Sequence, residues 1–116
     1  MLGTKSKFYT KGVYVDKPAS GLMKFDDAKI RVELIDPNFI LGISKILTFG
    51  AKKYAANNWK KGSTDEDQQR YLGAALRHLL AYMDGQKIDP ESGESHLYHL
   101  GCNLMFLDYF DRQQKA

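Results

Sequence analysis

A mainly α fold with a small N-terminal β element (α+β) and about three helices is predicted for this chain, and three observations carry the prediction. Apolar residues recur at helical spacing over three stretches after residue 36. Aspartate–proline pairs and glycines punctuate those stretches. The first 35 residues instead mix aromatic, β-branched and lysine residues. A length of 116 residues fits a single domain, divided into a β hairpin or extended segment over 1–35 and a helical part over 36–116. Hydrophobic residues at 43% and charged residues at 27% exclude disordered and fibrous classes.

Each element has its own warrant. Residues 7–16, KFYTKGVYVD, surround Gly12 with strand-forming side chains, the pattern of a short strand or an irregular hairpin. In MKFDDAKIRVELI, residues 23–35, Ile30, Val32 and Leu34 alternate with Arg31 and Glu33, which predicts a second extended piece. Asp36-Pro37 is a helix start, because aspartate accepts from free backbone amides and proline is preformed for the first helical position. Ile40, Ile43, Leu47 and Phe49 follow at helical spacing, and residues 51–54 continue the helix past Gly50. Asn57-Asn58 and Lys61-Gly62-Ser63 mark the next connection.

A second helix fits residues 65–84, with Tyr71, Ala75, Leu79 and Tyr82 along one side, Arg70 and Arg77 on another, and Gly85 as its stop. Asp89-Pro90 repeats the start signal ahead of a third helix over about 94–113. The apolar residues of that helix (Leu97, Leu100, Leu104, Met105, Phe106, Leu107, Tyr109, Phe110) spread nearly all round it, so it must be covered on several sides. Three helices and a small β element offer limited cover, and a homo-oligomer is expected.

Composition narrows the function classes. The longest stretch free of acids, lysine and arginine, residues 95–107, is too short to span a bilayer. The N-terminal MLGTKSKFYT has lysines but no apolar run, so a cytoplasmic protein is expected rather than a secreted one. The single cysteine, Cys102, lies in an apolar segment and reads as a buried, inert thiol. Net charge is +3 but unevenly spread. Residues 37–63 hold five lysines and no acid, while residues 84–111 hold six acids against Lys87. That arrangement favours a small anionic ligand over a nucleic-acid track, whose phosphates the acidic half would repel.

Two constellations carry chemistry. His96, His99 and Asn103 share one helix face, with Asp89 and Glu91 in the connection before them. Two histidines and two carboxylates suit a divalent metal or acid–base catalysis, and equally a buried polar network joining the second and third helices. The second constellation is FGAKKYAANNWKKG, residues 49–62. There Lys52 and Lys53 offer charge to phosphates, Tyr54 and Trp59 offer faces to a base, and Asn58 offers an amide to its edge. Arg70 and Arg77 add bidentate phosphate donors. The alternative is a solvated lysine-rich loop anchored by Trp59. No GxxxxGK[ST], GxGxxG, CxxC or GxSxG motif is present.

The order FGAKKYAANNW followed by LRHLLAYMDGQKIDPESGESHLYHLGCNLMF resembles a phage-associated family, the dATP/dGTP diphosphohydrolase N-terminal domain, over about residues 26–110. The resemblance implies a mainly helical purine-nucleotide protein of phage origin. Two positions depart from it: Gly85-Gln86 stands where the family often has Gly-Glu, and Ala28-Lys29 where it has Gly-Lys. Related all-helical pyrophosphohydrolases carry ExxE and ExxD on paired helices to hold several magnesium ions. Here residues 38–53 contain no carboxylate, and Glu91-x-x-Glu94 and Asp108-x-x-Asp111 imitate the pattern only formally.

Thin carboxylates beside a basic aromatic segment point to a phage protein that captures a purine nucleotide or cyclic nucleotide immune signal without cutting it and needs no cofactor. In size and charge the chain is similar to the Thoeris anti-defence proteins. The alternative is a dATP/dGTP diphosphohydrolase using Mg2+ or Mn2+, with Asp89, Glu91, His96 and His99 as metal ligands or general base.

Overall fold

The computed structural model describes residues 7–10, 13–16, 20–23 and 28–114. Contacts divide the chain into two compact units, Met1–Ile35 and Asp36–Ala116. In the first, strands β1 (Lys7–Thr10) and β2 (Val13–Asp16) pair antiparallel, with Phe8 opposite Val15 and Tyr9 opposite Tyr14. A two-stranded ribbon buries too little to make a layer of its own, so the architecture is mainly α rather than α+β. The second extended piece expected over residues 23–35 does not form where it is described. Val32–Leu34 is a 3-10 turn, and Ile30, Val32 and Leu34 are exposed. Their alternation finds no strand to pair with among the described residues, and a half-apolar strand needs one. Residues 24–27 and Gly12 lie outside the described residues.

The second unit is built from three helices: α1 (Pro37–Lys53), α2 (Asp65–Met83) and α3 (His96–Gln114). Asp36 caps α1 by accepting from the Asn38 amide at 3.0 Å, with Pro37 at the first helical position. Thr64 caps α2 by accepting from the Asp67 amide at 3.1 Å, and Gly85, at φ +93°, turns the chain out of it. Asp89-Pro90 does not start α3. The Asp89 carboxylate instead accepts from the Ser92 amide, and the Asp89 and Glu94 backbones bond at 2.8 Å within a bridge joining Ile88 to Ser95. This tight loop leaves Ser95 to cap α3, its hydroxyl accepting from the Leu97 amide at 3.1 Å.

The middle position belongs to α3, which packs against both α1 and α2. This accounts for its unstriped sequence: an apolar stripe suits a helix covered on one side, and α3 is covered on two. The α1–α3 approach runs through glycines. The Tyr98 ring lies over Gly42, and Ile43 and Phe39 lie over Gly101. Between α2 and α3 the contact is aromatic, Tyr71 meeting Phe106 at 5.1 Å and Phe110 at 6.2 Å. Among described residues the buried apolar side chains are Ile46, Ala75, Cys102 and Phe110. No described helix is long and apolar enough to cross a membrane.

Candidate functional site

A groove of about 650 Å³ runs over α3 between the C-terminal half of α1, residues 54–59, and Tyr71 and Ala74 of α2. Ile46, Leu47, Cys102 and Phe106 make it apolar, while Lys53, Tyr54, Asn57, Asn58, Asn103 and His99 bring polar groups to it. Its volume and lining are those of a small-molecule site. Asn57 is held in the left-handed region at φ +62°, which turns the chain sharply between α1 and the short 3-10 helix Asn58–Lys61. The Tyr71 hydroxyl donates to the Trp59 carbonyl at 2.6 Å and fixes that turn to α2.

His99 joins the groove to a polar cluster. The His78 and His99 rings stack at 4.4 Å, 9° from parallel, and His78 Nδ1 lies 2.8 Å from His96 Nδ1. The Nε2 of His96 is 2.9 Å from Gln86 Oε1. Asp89 Oδ2 accepts from the Ser92 amide at 3.2 Å and the Ser92 hydroxyl at 3.1 Å, and it lies 3.3 Å from His99 Nε2. With the Ser92 hydroxyl given to Asp89, His99 Nε2–H donates to Ser92 Oγ at 2.6 Å.

Burial pushes the pKa of His99 down, and although Asp89 pulls the other way the net direction is down. At neutral pH the 3.3 Å His99–Asp89 contact is therefore one between a neutral imidazole and a carboxylate rather than an ion pair. Burial, then the His99 and His96 rings, also lower His78. Asp89 shows the opposite balance: burial raises its pKa, but the bonds from the Ser92 side chain and backbone outweigh burial and hold it below the ordinary carboxylate range. Burial takes the Cys102 thiol to about 12, so it is inert, as its apolar segment predicts.

The residues expected from sequence are only partly brought together. Lys53, Tyr54, Asn58 and Trp59 line the groove with His99. Lys52 faces a separate concavity with Lys45, Ser92 and Glu94, because successive helical residues point about 100° apart. Arg70 and Arg77 are exposed on α2 and do not line the groove. Trp59 is half-buried: its indole stacks on Phe106 at 4.6 Å and meets Tyr109 edge-on at 5.0 Å, so one of the faces offered to a base is already covered. Lys53 Nζ pairs with Glu91 Oε2 at 3.0 Å, a bond that raises the lysine's pKa and removes Glu91 from the histidine cluster.

His78 was missed, although its signal was there. It falls three residues after Ala75 and four before Tyr82, on the core stripe of α2, where a histidine needs polar partners. Three donors fit a cation: one ligand atom each from His78, Asp89 and His96, all within 4.8 Å of one another.

A helical protein with an open groove ending in a histidine–carboxylate cluster is thus the class that fold and site define. Residues 19–116 match the family described as dATP/dGTP diphosphohydrolase, N-terminal, and the chain belongs to that family. A relative from Salmonella phage PMBT28, named dATP/dGTP diphosphohydrolase, is 34% identical over 85 residues, which are 73% of this chain and 28% of the relative. The chain thus spans under a third of that relative's length. No solved structure matches it. These names overturn the expectation of a binder that sequesters its nucleotide uncut, because family and relative alike carry the name of a hydrolase. The absence of paired ExxE and ExxD motifs pointed toward the binder, whereas the alternative, a hydrolase with Asp89, Glu91, His96 and His99 as metal ligands or general base, is the one that these names favour.

Proposed function

We propose that the chain is the nucleotide-binding N-terminal module of a dATP/dGTP diphosphohydrolase, which splits a purine deoxynucleoside triphosphate into monophosphate and pyrophosphate. The observation that carries this reading is the continuity of a nucleotide-sized apolar groove with the histidine–carboxylate cluster at His99. The base occupies the apolar length of the groove, with Tyr54 and Asn58 at its mouth, and the Lys53 ammonium exchanges Glu91 for phosphate oxygens.

In the chemical step a water oxygen bonds to the α-phosphorus while the bond to the pyrophosphate oxygen breaks. His99, neutral and with Nε2 engaged by Ser92, accepts the water's proton on Nδ1, and Asp89 stabilises the resulting imidazolium. A divalent ion, when bound, neutralises charge on the phosphate oxygens. Asp89 with His78 and His96 would hold it. The phage relative supports a phage origin, with the host cytoplasm as compartment.

A second copy of the chain is the proposed partner. Leu72, Leu76, Leu80 and Met83 form one stripe along α2, 40%, 50%, 59% and 71% exposed. Light scattering is expected to give a dimer or larger assembly, and Leu76→Glu with Leu80→Glu to give a monomer.

The chain's one tryptophan, Trp59, lines the groove and reports on it. Addition of dATP or dGTP is expected to change its fluorescence, and dCTP or dTTP at equal concentration is not. His99→Gln should keep the fluorescence change and lose turnover. Purine nucleotides that leave Trp59 unaffected, or a His99→Gln protein of full activity, would overturn the reading.

A further inference from the structure

We propose that His78, Asp89 and His96 form a preorganised site for one first-row transition-metal ion of the Mn2+ to Zn2+ series, filled without nucleotide and not by Mg2+. This deepens the reading above by naming the ion, but it stands on the donors themselves.

The three ligands come from three segments: α2, the loop after it, and α3. The fold therefore collects them, and one stretch of helix does not. The two Nδ1 atoms face each other at 2.8 Å. Two neutral imidazoles so placed oppose their lone pairs unless a proton or a cation lies between them. The tautomer of His96 is set from behind. Gln86 Oε1 is a carbonyl oxygen and only accepts, so His96 Nε2 carries the hydrogen and Nδ1 keeps its lone pair toward His78.

His96 is 4% exposed and has no room to turn that nitrogen to water. The Asp89 carboxylate is oriented in the same way. Its Oδ2 is taken by Ser92 and His99, while Oδ1 makes no hydrogen bond among the described residues. A ligand set held by outer partners before any ion arrives is the usual arrangement of a transition-metal site.

The donor chemistry selects the ion. Imidazole nitrogen suits Mn2+ through Zn2+, with affinity that rises to a maximum at Cu2+, whereas Mg2+ prefers oxygen ligands and keeps most of its water. Two imidazoles and one carboxylate offer Mg2+ a single suitable donor. The remaining positions on a transition ion would be open to water or to a phosphate oxygen arriving at His99.

The test uses tag-free, EDTA-stripped protein and Co2+ as probe, with no nucleotide present. Titration calorimetry and the visible Co2+ absorption are expected to give one ion per chain, undisplaced by a hundredfold excess of Mg2+ and displaced by Zn2+. His78→Asn and Asp89→Asn should each weaken Co2+ binding at least tenfold. Gln86→Ala, at an exposed position where the fold is not at stake, should weaken it by about ten- to a hundredfold.

Asp108→Asn, in the distant Arg112 pair, should bind as wild type. Circular dichroism confirms that each variant keeps its helices, and Gln86→Ala decides the matter if His78→Asn does not fold. Absence of stoichiometric Co2+, equal competition by Mg2+, or an unchanged Gln86→Ala titration would overturn the proposal. Co2+ binding without any nucleotide effect on Trp59 would leave this site standing and remove the diphosphohydrolase reading. Turnover in Mg2+ alone with no Co2+ bound would do the reverse.

Discussion

Substituting alanine at two glycines of α1 tests the helix packing that forms one wall of the groove. A Cβ at Gly42 would meet Cδ1, Cε1 and Cζ of Tyr98 at 2.5 Å. That is about 1 Å inside the ~3.5 Å at which carbon atoms begin to attract. The ring must move or the helices must part, at a cost of about 1–3 kcal/mol for overpacking. Alanine returns about 1 kcal/mol through its helix propensity, leaving Gly42→Ala roughly 0–2 kcal/mol less stable than wild type.

Gly50 is the internal control. It lies in the same helix, and nothing is within 4 Å of its Cβ position. Gly50→Ala should therefore keep the full gain of about 1 kcal/mol. Urea and thermal denaturation followed by circular dichroism should separate the two variants by about 1–3 kcal/mol, at about 4–8 °C per kcal/mol for a helical unit of this size. Equal stabilisation by both substitutions would show that Tyr98 does not seat on Gly42, and the α1–α3 wall of the groove would fall with it.

Further outcomes follow from the cluster and the groove. His78 and His99 have pKa values lowered by burial, so the unfolded chain binds more protons than the folded one just below their ordinary value near 6.5. Stability is fully present above that pH and is lost as pH falls through it toward the folded-state values; urea midpoints that stay flat from pH 7.5 to 5 would contradict this. Lys53→Met should weaken dATP and dGTP binding roughly tenfold, consistent with losing one charge-assisted contact, as read by Trp59 fluorescence, and an unchanged affinity would remove Lys53 from the phosphate site. His99→Gln should lower kcat by about 10²–10⁴ with little change in nucleotide affinity, whereas equal loss in both would mark it as a binding residue only. Cys102 should react with a thiol reagent only after unfolding, and rapid native labelling would contradict its burial.

The helices were legible because their signals are local. Asp36-Pro37 and Gly85 act through their own backbone neighbours, and α1 and α2 run close to where these residues place them. The apolar circumference of α3 correctly demanded cover on several sides, and its middle position between α1 and α2 supplies it. Signals that depend on a distant partner misled. Asp89-Pro90 reads as a helix start, but Ser92 takes the Asp89 carboxylate and a tight loop results. Alternation over Ile30–Leu34 reads as a strand, yet no pairing strand is described there. In the site, adjacency misplaced Lys52 beside Lys53, and separate roles for Lys53 and Glu91 hid that the two pair. His78 carried a signal in its place on the core stripe of α2, whereas Gln86 carried none, because its partner His96 lies on α3.

The most direct test of the central claim is a mass balance on dATP and dGTP incubated with the chain and Mn2+, followed by denaturation and chromatography. The account predicts that nucleotide disappears as deoxynucleoside monophosphate and pyrophosphate appear in equal amounts, with no inorganic phosphate. Nucleotide recovered intact after denaturation, or released as nucleoside and triphosphate, would contradict it.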